Sequence, residues 1–221
     1  MKKLTKTIVL LSLILSSVQL FSQTESAVVS SQDKNNNFYI GIDNPLSVSV
    51  PGVSNDKLRV SITNGTIIKN ADNYIVNVSK VGEVIINVAT EVKSGVVKSV
   101  GSYQFKAKKI PDPKAYIGNH ITRDSILLIS KEELTNDSTI NASAGLPFEY
   151  DFVVVAFTMS HKYNGDFISE TSVGNKLSKS QIAAIKQSEV KKVFFEDIKV
   201  KCPDGSLRML HELTIKFIDK K

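Results

Sequence analysis

The sequence predicts a mainly β protein built in two units. Three observations carry that expectation: apolar residues alternating at period 2, turn signals between the alternating runs, and a Pro-Asp-Pro interruption at residues 111–113. Alternation at period 2 sends every second side chain to the same face of a strand, so each run reads as a half-buried strand. Two prolines in three residues cannot continue a central strand, and they divide the chain there.

The first residues read as an address rather than as fold. Lys2, Lys3 and Lys6 precede the apolar run Ile8–Leu15, and Ser16 to Ser22 follow it. That is the pattern of a secretory signal over residues 1–22, cut between Ser22 and Gln23, and the run is short for a membrane helix. The competing reading is an uncleaved N-terminal anchor. No cysteine lies near the cut, which excludes a lipoprotein anchor. Residues 23–37 are polar and rich in Ser, Asn and Gln, and read as a flexible leader.

Strand texture then begins. Leu46, Val48 and Val50 alternate with serines, and Leu58, Val60 and Ile62 alternate with Arg59 and Ser61. Tyr74, Val76 and Val78 follow, then Val84, Ile86 and Val88, then Tyr103, Phe105 and Ala107. Pro51-Gly52, Asn64-Gly65 and Lys80-Val81-Gly82 punctuate these runs, and Asn64-Gly65 predicts a hairpin over Ser61–Lys69. Six or seven short strands at this spacing make a small immunoglobulin-like β-sandwich over residues 38–109. Residues 110–113 are the Pro-rich linker.

The second unit, residues 114–221, is β-rich with one short helix near 178–188. Ser178 and Gln181 have capping-box spacing, flanked by Leu177 and Ile182 as a hydrophobic staple. Ser130 and Glu133 repeat the device with Ile129 and Leu134, before a single helical turn. Long apolar strands are expected over Phe148–Ser160, Lys192–Lys201 and Arg208–Ile218, with turns at Asn164-Gly165 and Pro203-Asp204-Gly205.

Composition narrows function mainly by exclusion. Lys+Arg 28 against Asp+Glu 22 gives +6, which invites a nucleic-acid partner. Residues 1–22 hold three lysines and no acid, so the exported chain carries only +3. The basic clusters, Lys191-Lys192 and the trio Lys106, Lys108 and Lys109, lack stacking aromatics between them and read as solvated faces. No nucleic acid is expected. Cys202 stands alone, so neither a disulfide nor a Cys-rich metal module can form within one chain. It reads as a structural or partly exposed thiol. His120, His161 and His211 have no metal-ligand spacing, and His161 and His211 read as hydrogen-bonded strand histidines. Glu132-Glu133 complements a helix first turn, and Glu196-Asp197 points to opposite faces of a strand. No nucleophile elbow, dinucleotide fingerprint or P-loop is present. No catalytic residue, cofactor or metal is therefore expected. Asn64, Asn77, Asn136 and Asn141 open Asn-x-Ser/Thr sequons, which matter only in a host that glycosylates exported chains.

Several strings resemble a known family in its own order. They are Phe38-Tyr39-Ile40-Gly41-Ile42-Asp43-Asn44-Pro45-Leu46-Ser47-Val48-Ser49-Val50-Pro51-Gly52-Val53, then Ser61-Ile62-Thr63-Asn64-Gly65-Thr66, Tyr74-Ile75-Val76 and Ile110-Pro111-Asp112-Pro113. Val193-Phe194-Phe195-Glu196-Asp197-Ile198-Lys199-Val200-Lys201, running into Pro203-Asp204-Gly205, is the strongest late match. Together they resemble the C-terminal periplasmic domains of GldM, from the gliding-motility and type IX secretion machinery of Bacteroidota. The resemblance implies a non-catalytic part in the cell envelope. In that family a transmembrane helix pair energises a dimeric periplasmic shaft of β-rich domains, whose far end meets a ring complex at the outer membrane. This chain departs from that plan, with an export signal, no transmembrane helix, and the two distal domains alone. It reads as a detached terminal piece.

The resulting expectation is a homodimeric scaffold or adaptor outside the cytoplasm, in the periplasm first and at the cell surface or secreted second. Exposed sheet edges are available for pairing with another chain, and envelope proteins are the expected partners. A stand-alone immunoglobulin-like adhesion or ligand-binding module at the cell surface is the alternative. A secreted enzyme with a dispersed site is a third reading.

Overall fold

The computed structural model describes residues 26–118, 120, 126–147 and 150–219. The expected export signal, its expected cut between Ser22 and Gln23, and residues 23–25 of the expected leader lie outside the described residues. Eight strands make the first unit: β1 (Val28–Ser31), β2 (Asn37–Tyr39), β3 (Asn44–Ser49), β4 (Leu58–Ile62), β5 (Thr66–Asn70), β6 (Asn73–Asn77), β7 (Gly82–Lys93) and β8 (Val96–Lys108). They form two four-stranded sheets, ordered β1-β3-β6-β5 and β2-β8-β7-β4. The alternating residues named from the sequence fill the space between them: Leu46, Val48, Val50, Leu58, Tyr74, Val76, Val78, Val84, Ile86, Val88, Phe105 and Ala107 are all buried in one cluster. Phe38 and Phe105 stack across the core, with ring centroids 4.7 Å apart and planes 14° apart.

Two expectations about this unit are corrected. Residues from Ala27 onward are not a flexible leader, because β1 pairs antiparallel with β3 from Val28 opposite Ser49 to Ser31 opposite Leu46. Ala27 is buried in the sandwich core, and its carbonyl accepts from the Tyr103 hydroxyl at 2.8 Å. Farther along, the Asp33 carboxylate accepts from the Asn35 amide at 2.8 Å, Asn37 Nδ2 at 2.9 Å and the Tyr39 hydroxyl at 3.0 Å. Burial raises the pKa of this carboxyl, but those donors outweigh it and hold the group below its ordinary value. Polar residues consumed by such a knot look like a leader in composition alone. The sandwich thus starts ahead of residue 38.

The second correction concerns Ser61–Lys69. β4 belongs to the sheet of β7, whereas β5 pairs with β6 in the opposite sheet, so Thr63-Asn64-Gly65 arches between sheets instead of closing a hairpin. A type I′ turn needs positive φ at both central residues. Gly65 has φ 117°, and Asn64 is not among the positive-φ residues.

The second unit is organised around a six-stranded sheet. Its strands are β10 (Ile126–Ile129), β12 (Val153–Tyr163), β13 (Asp166–Val173), β14 (Lys192–Lys201), β15 (Leu207–Met209) and β16 (Leu213–Phe217). The order is β10-β16-β14-β12-β13, with β15 beside β14 and β10 parallel to β16. β9 (Lys114–Ile117) and β11 (Ile140–Ser143) form a separate two-stranded ribbon. One sheet face, with Phe157, Met159, Val193, Phe195, Ile198, Val200, Leu213 and Ile215, packs in a core shared with two helices. Asn164 (φ 50°) and Gly165 (φ 98°) turn β12 into β13, as their sequence predicts. The expected strand Arg208–Ile218 is instead split into β15 and β16, both paired with β14.

Both capping boxes form as the sequence dictates. In α1 (Lys131–Asn136), Ser130 Oγ accepts from the Glu133 amide and Glu133 returns a bond to the Ser130 amide. Ser178 and Gln181 do the same for α2 (Lys179–Lys186). Gln181 has a second task. Fully buried, its Nε2 donates to the Glu170 carbonyl at 2.9 Å and its Oε1 accepts from Ser172 Oγ at 2.9 Å, so α2 covers part of the free edge of β13. That removes one exposed backbone acceptor from the sheet edge.

Candidate interaction surfaces

The groups weighed as chemistry do not converge. His120 is exposed and its amide donates to the Ile117 carbonyl at 2.9 Å. His211 is exposed between β15 and β16, outside either strand, which corrects its expected position. His161 is buried in β12, but its Nδ1 has no hydrogen-bond partner, so it is not the satisfied histidine that was expected. Cys202 is buried and free, and burial pushes its thiol pKa up, away from nucleophile chemistry. Glu133 is spent on its cap. Glu196 Oε2 accepts from Ser160 Oγ at 2.7 Å, and the exposed Asp197 has φ 49°. Among the described residues no group of three His, Cys, Asp or Glu could hold a metal ion.

Burial lowers the pKa of His161 below its ordinary 6.5. The folded value lies under the unfolded one, so the neutral ring's contribution to stability is complete above about pH 6.5. It is lost as pH falls from there toward the folded value. The expected result is a decline in stability of at most about 1.4 kcal/mol per pH unit in that window, absent in His161→Leu. Urea midpoints between pH 7 and pH 5 check it, and parallel pH profiles of the two proteins would refute it.

Where the two units meet, the structure supplies a contact that no spacing in the sequence announced. Arg208 on β15 reaches back to the Pro-rich linker. Its Nη1 donates to the carbonyls of Ile110 at 3.0 Å and Pro111 at 3.2 Å and to Asp112 Oδ1 at 3.0 Å, while Nη2 donates to Asp204 Oδ2 at 2.8 Å. Burial raises the Asp204 pKa, but bonds from Ser206 and the Arg208 charge outweigh it and hold it low. A small apolar cluster lies alongside, with Tyr39, Ile42 and Ile110 buried and Leu146, Tyr150 and Phe152 packed against them. Gly41 (φ 81°) sits there because a Cβ would lie 2.9 Å from Asp204 Cβ. The guanidinium fork is therefore a clamp on residues 110–112. Arg208→Ala is expected to cost about 2–3 kcal/mol, and Arg208→Lys to recover only part, because an ammonium cannot span the same acceptors. Denaturant midpoints read this directly, and wild-type values in both variants would show that the clamp contributes nothing.

Other surfaces remain open. The β7–β8 hairpin extends past the end of β4, and Val92, Val96 and Val97 near its tip are exposed. On the second sheet, Phe167 and Val173 of edge strand β13 are 67% and 93% exposed. No helix among the described residues is long and apolar enough to cross a membrane.

Fold and surfaces together define a mainly β protein with separate sheets and cores, in which the polar groups Asp33, Ser130, Ser178 and Arg208 serve knots, caps and the junction. Residues 26–108 match the family model described as the GldM third domain. That match spans less than half of the chain, the first sandwich, which is similar to the GldM third domain. Similar solved structures include fibronectin(III)-like modules of Clostridium thermocellum CbhA, at 13% identity over 86% of this chain and 94% of that one, with a TM-score of 0.29. Another is SGBP-B of the Bacteroides ovatus mixed-linkage glucan utilization locus, in complex with a mixed-linkage heptasaccharide. It shows 13% identity over 83% of this chain and 43% of that chain, with a TM-score of 0.19. No curated protein matches the chain.

Proposed function

We propose that the protein is a non-catalytic scaffold or adaptor outside the cytoplasm, acting by protein–protein contact in the cell envelope with gliding or type IX secretion components. The match of residues 26–108 to the GldM third domain carries this reading. The N-terminal pattern of Lys2, Lys3 and Lys6 ahead of Ile8–Leu15 supports export, with the periplasm as the destination. Two separate cores support a division near residues 110–113 into a sandwich and a second β-rich domain. The Arg208 clamp gives that division a purpose, because an adaptor must hold its two modules at a fixed angle. We further propose a homodimer, in which sheet edges of one chain are covered by the other.

Three measurements test the proposal. Mass spectrometry of the exported protein should give a chain beginning at Gln23. Light scattering should give twice the mass of the chain, and a strict monomer would remove the homodimer. Crosslinking in living cells should recover gliding or secretion components of the envelope, and their absence would overturn the adaptor reading.

A further inference from the structure

The outer face of the second sheet carries a pattern that the sequence scatters over five strands. Lys216 lies directly opposite Lys192 in the β14–β16 register. His161 opposite Val193 makes Lys162 the next position beside Lys192. Leu128 faces Lys216 at one end of the row, and Phe167 faces Lys162 at the other. Neighbouring strands lie about 4.8 Å apart, so three lysines fall on one line about 10 Å long. In the next row Phe194 lies opposite Thr214 and Ser160, and Ser160 opposite Ser169.

This row has no counter-charge of its own. Among the described residues Lys162, Lys192 and Lys216 make no ion pair. Like charges directly opposed across strands weaken a sheet. Lys192 Nζ instead sits 4.6 Å from the centroid of the Phe194 ring, which is tilted against Phe167 at 6.2 Å. A groove of about 440 Å³ opens beside these rings, lined by Lys162, Lys191 and Lys192 against the single acid Glu189.

We propose that this face docks an acidic segment of a partner protein, with carboxylates spaced along the lysine row and apolar side chains flanking them on the same face of the segment, against Leu128 and Phe167 at the ends of the row. Side chains on one face of an extended segment are about 6.7 Å apart, so two neighbouring carboxylates on that face fall within the row, and the next side chain on either side reaches its ends. Charge complementarity selects the occupant. A second copy of this chain would set one lysine row against another, so this face is not the homodimer contact. Nucleic acid fits poorly because the Lys192 ammonium occupies the Phe194 ring face that a base would need. A membrane fits poorly because hydroxyls of Ser160, Ser169, Thr158 and Thr171 line the same face. The inference rests on the reading of the protein as a non-catalytic binding module, and names the partner chemistry for one of its surfaces.

The test uses the exported chain and a fluorescent heptapeptide with leucine and phenylalanine at its ends, glutamate at positions 3 and 5 and serine between, so that the acids and apolar side chains share one face when it is extended. Anisotropy should show binding that weakens at least about tenfold between roughly 50 and 300 mM NaCl. The triple variants Lys162→Glu/Lys192→Glu/Lys216→Glu and Lys162→Gln/Lys192→Gln/Lys216→Gln should each weaken it by about tenfold or more, with circular dichroism unchanged. Phe167→Ser should weaken it separately, and a polyglutamate lacking apolar residues should bind less well. Undiminished binding in both triple variants, no peptide binding at all, or tighter binding to phosphatidylglycerol vesicles or single-stranded DNA would each overturn the proposal. The result is independent of oligomeric state and of crosslinking in cells, so it fails separately from the adaptor reading.

Discussion

Phe195→Ala is expected to lower the free energy of unfolding by about 3–5 kcal/mol, enough to remove much of the stability of a typical domain. Phe195 is fully buried at the centre of β14, opposite Met159 on β12 and Leu213 on β16. Its ring meets Phe157 edge to face, with centroids 5.7 Å apart and planes at 68°. Truncation forfeits the transfer energy of the ring, leaves a cavity between two strands that cannot close together, and removes an aromatic pair worth about 1 kcal/mol. The neighbouring residue gives the internal control. Phe194 points to the other face, where it is only half-buried, and Phe194→Ala should cost about 1 kcal/mol. Urea denaturation should move the midpoint strongly for Phe195→Ala and little for Phe194→Ala, with the same m-value. Equal shifts would mean that the facing of β14 is wrong.

That contrast depends on a feature that alternation alone does not reveal. Along β14 the buried positions are Val193 and Phe195, then Ile198 and Val200, so the period slips by one between them. The slip is a bulge at Glu196-Asp197, where Thr158 pairs with Glu196 but Ala156 already pairs with Lys199. Asp197 takes φ 49° there. Its extra residue restores Ile198 and Val200 to the core face, and β12 carries a compensating irregularity between Val154 and Ala156.

Local signals were legible because their partners are close in sequence. Capping boxes need residues three apart, and a type I′ turn needs two adjacent residues able to take positive φ. The core of the sandwich was legible for the same reason, since one strand's alternation names its own buried face. Which strands become neighbours is a different question. Period 2 places Lys162, Lys192 and Lys216 on the outer faces of their strands, yet only the order β16-β14-β12 makes them a row. The Arg208 clamp is hidden likewise, because its acceptors at 110–112 are mostly backbone carbonyls with no side-chain signature. Composition hides β1 because Ala27, Val28 and Val29 are too few to show a period, although Val28 to Ser31 pair with β3.

Gly65→Ala is the second large effect, expected to cost about 3–5 kcal/mol. The three residues Thr63-Asn64-Gly65 carry the chain from one sheet to the other, and at about 3.3 Å each they barely span the roughly 10 Å between packed sheets. The crossing is pinned on both sides. The Thr63 amide donates to the Ile85 carbonyl at 3.2 Å, Thr63 Oγ1 accepts from the Ile85 amide at 3.0 Å, and Asn64 Nδ2 donates to the Lys80 carbonyl at 2.9 Å. With both ends held, Gly65 is pressed onto β6, where an added Cβ would lie 2.0 Å from the Asn77 carbonyl oxygen and 2.9 Å from its carbon. Those are backbone atoms at the end of β6, so relief requires moving the strand or the arch. The φ of 117° adds strain for any residue with a Cβ. Gly52→Ala separates the two contributions, since Gly52 has φ 75° but nothing within 4 Å of an added Cβ. It should cost only about 1 kcal/mol from backbone strain. If Gly65→Ala costs no more than Gly52→Ala, the chain does not cross between sheets at Asn64-Gly65, and the hairpin its sequence suggests would have to be restored.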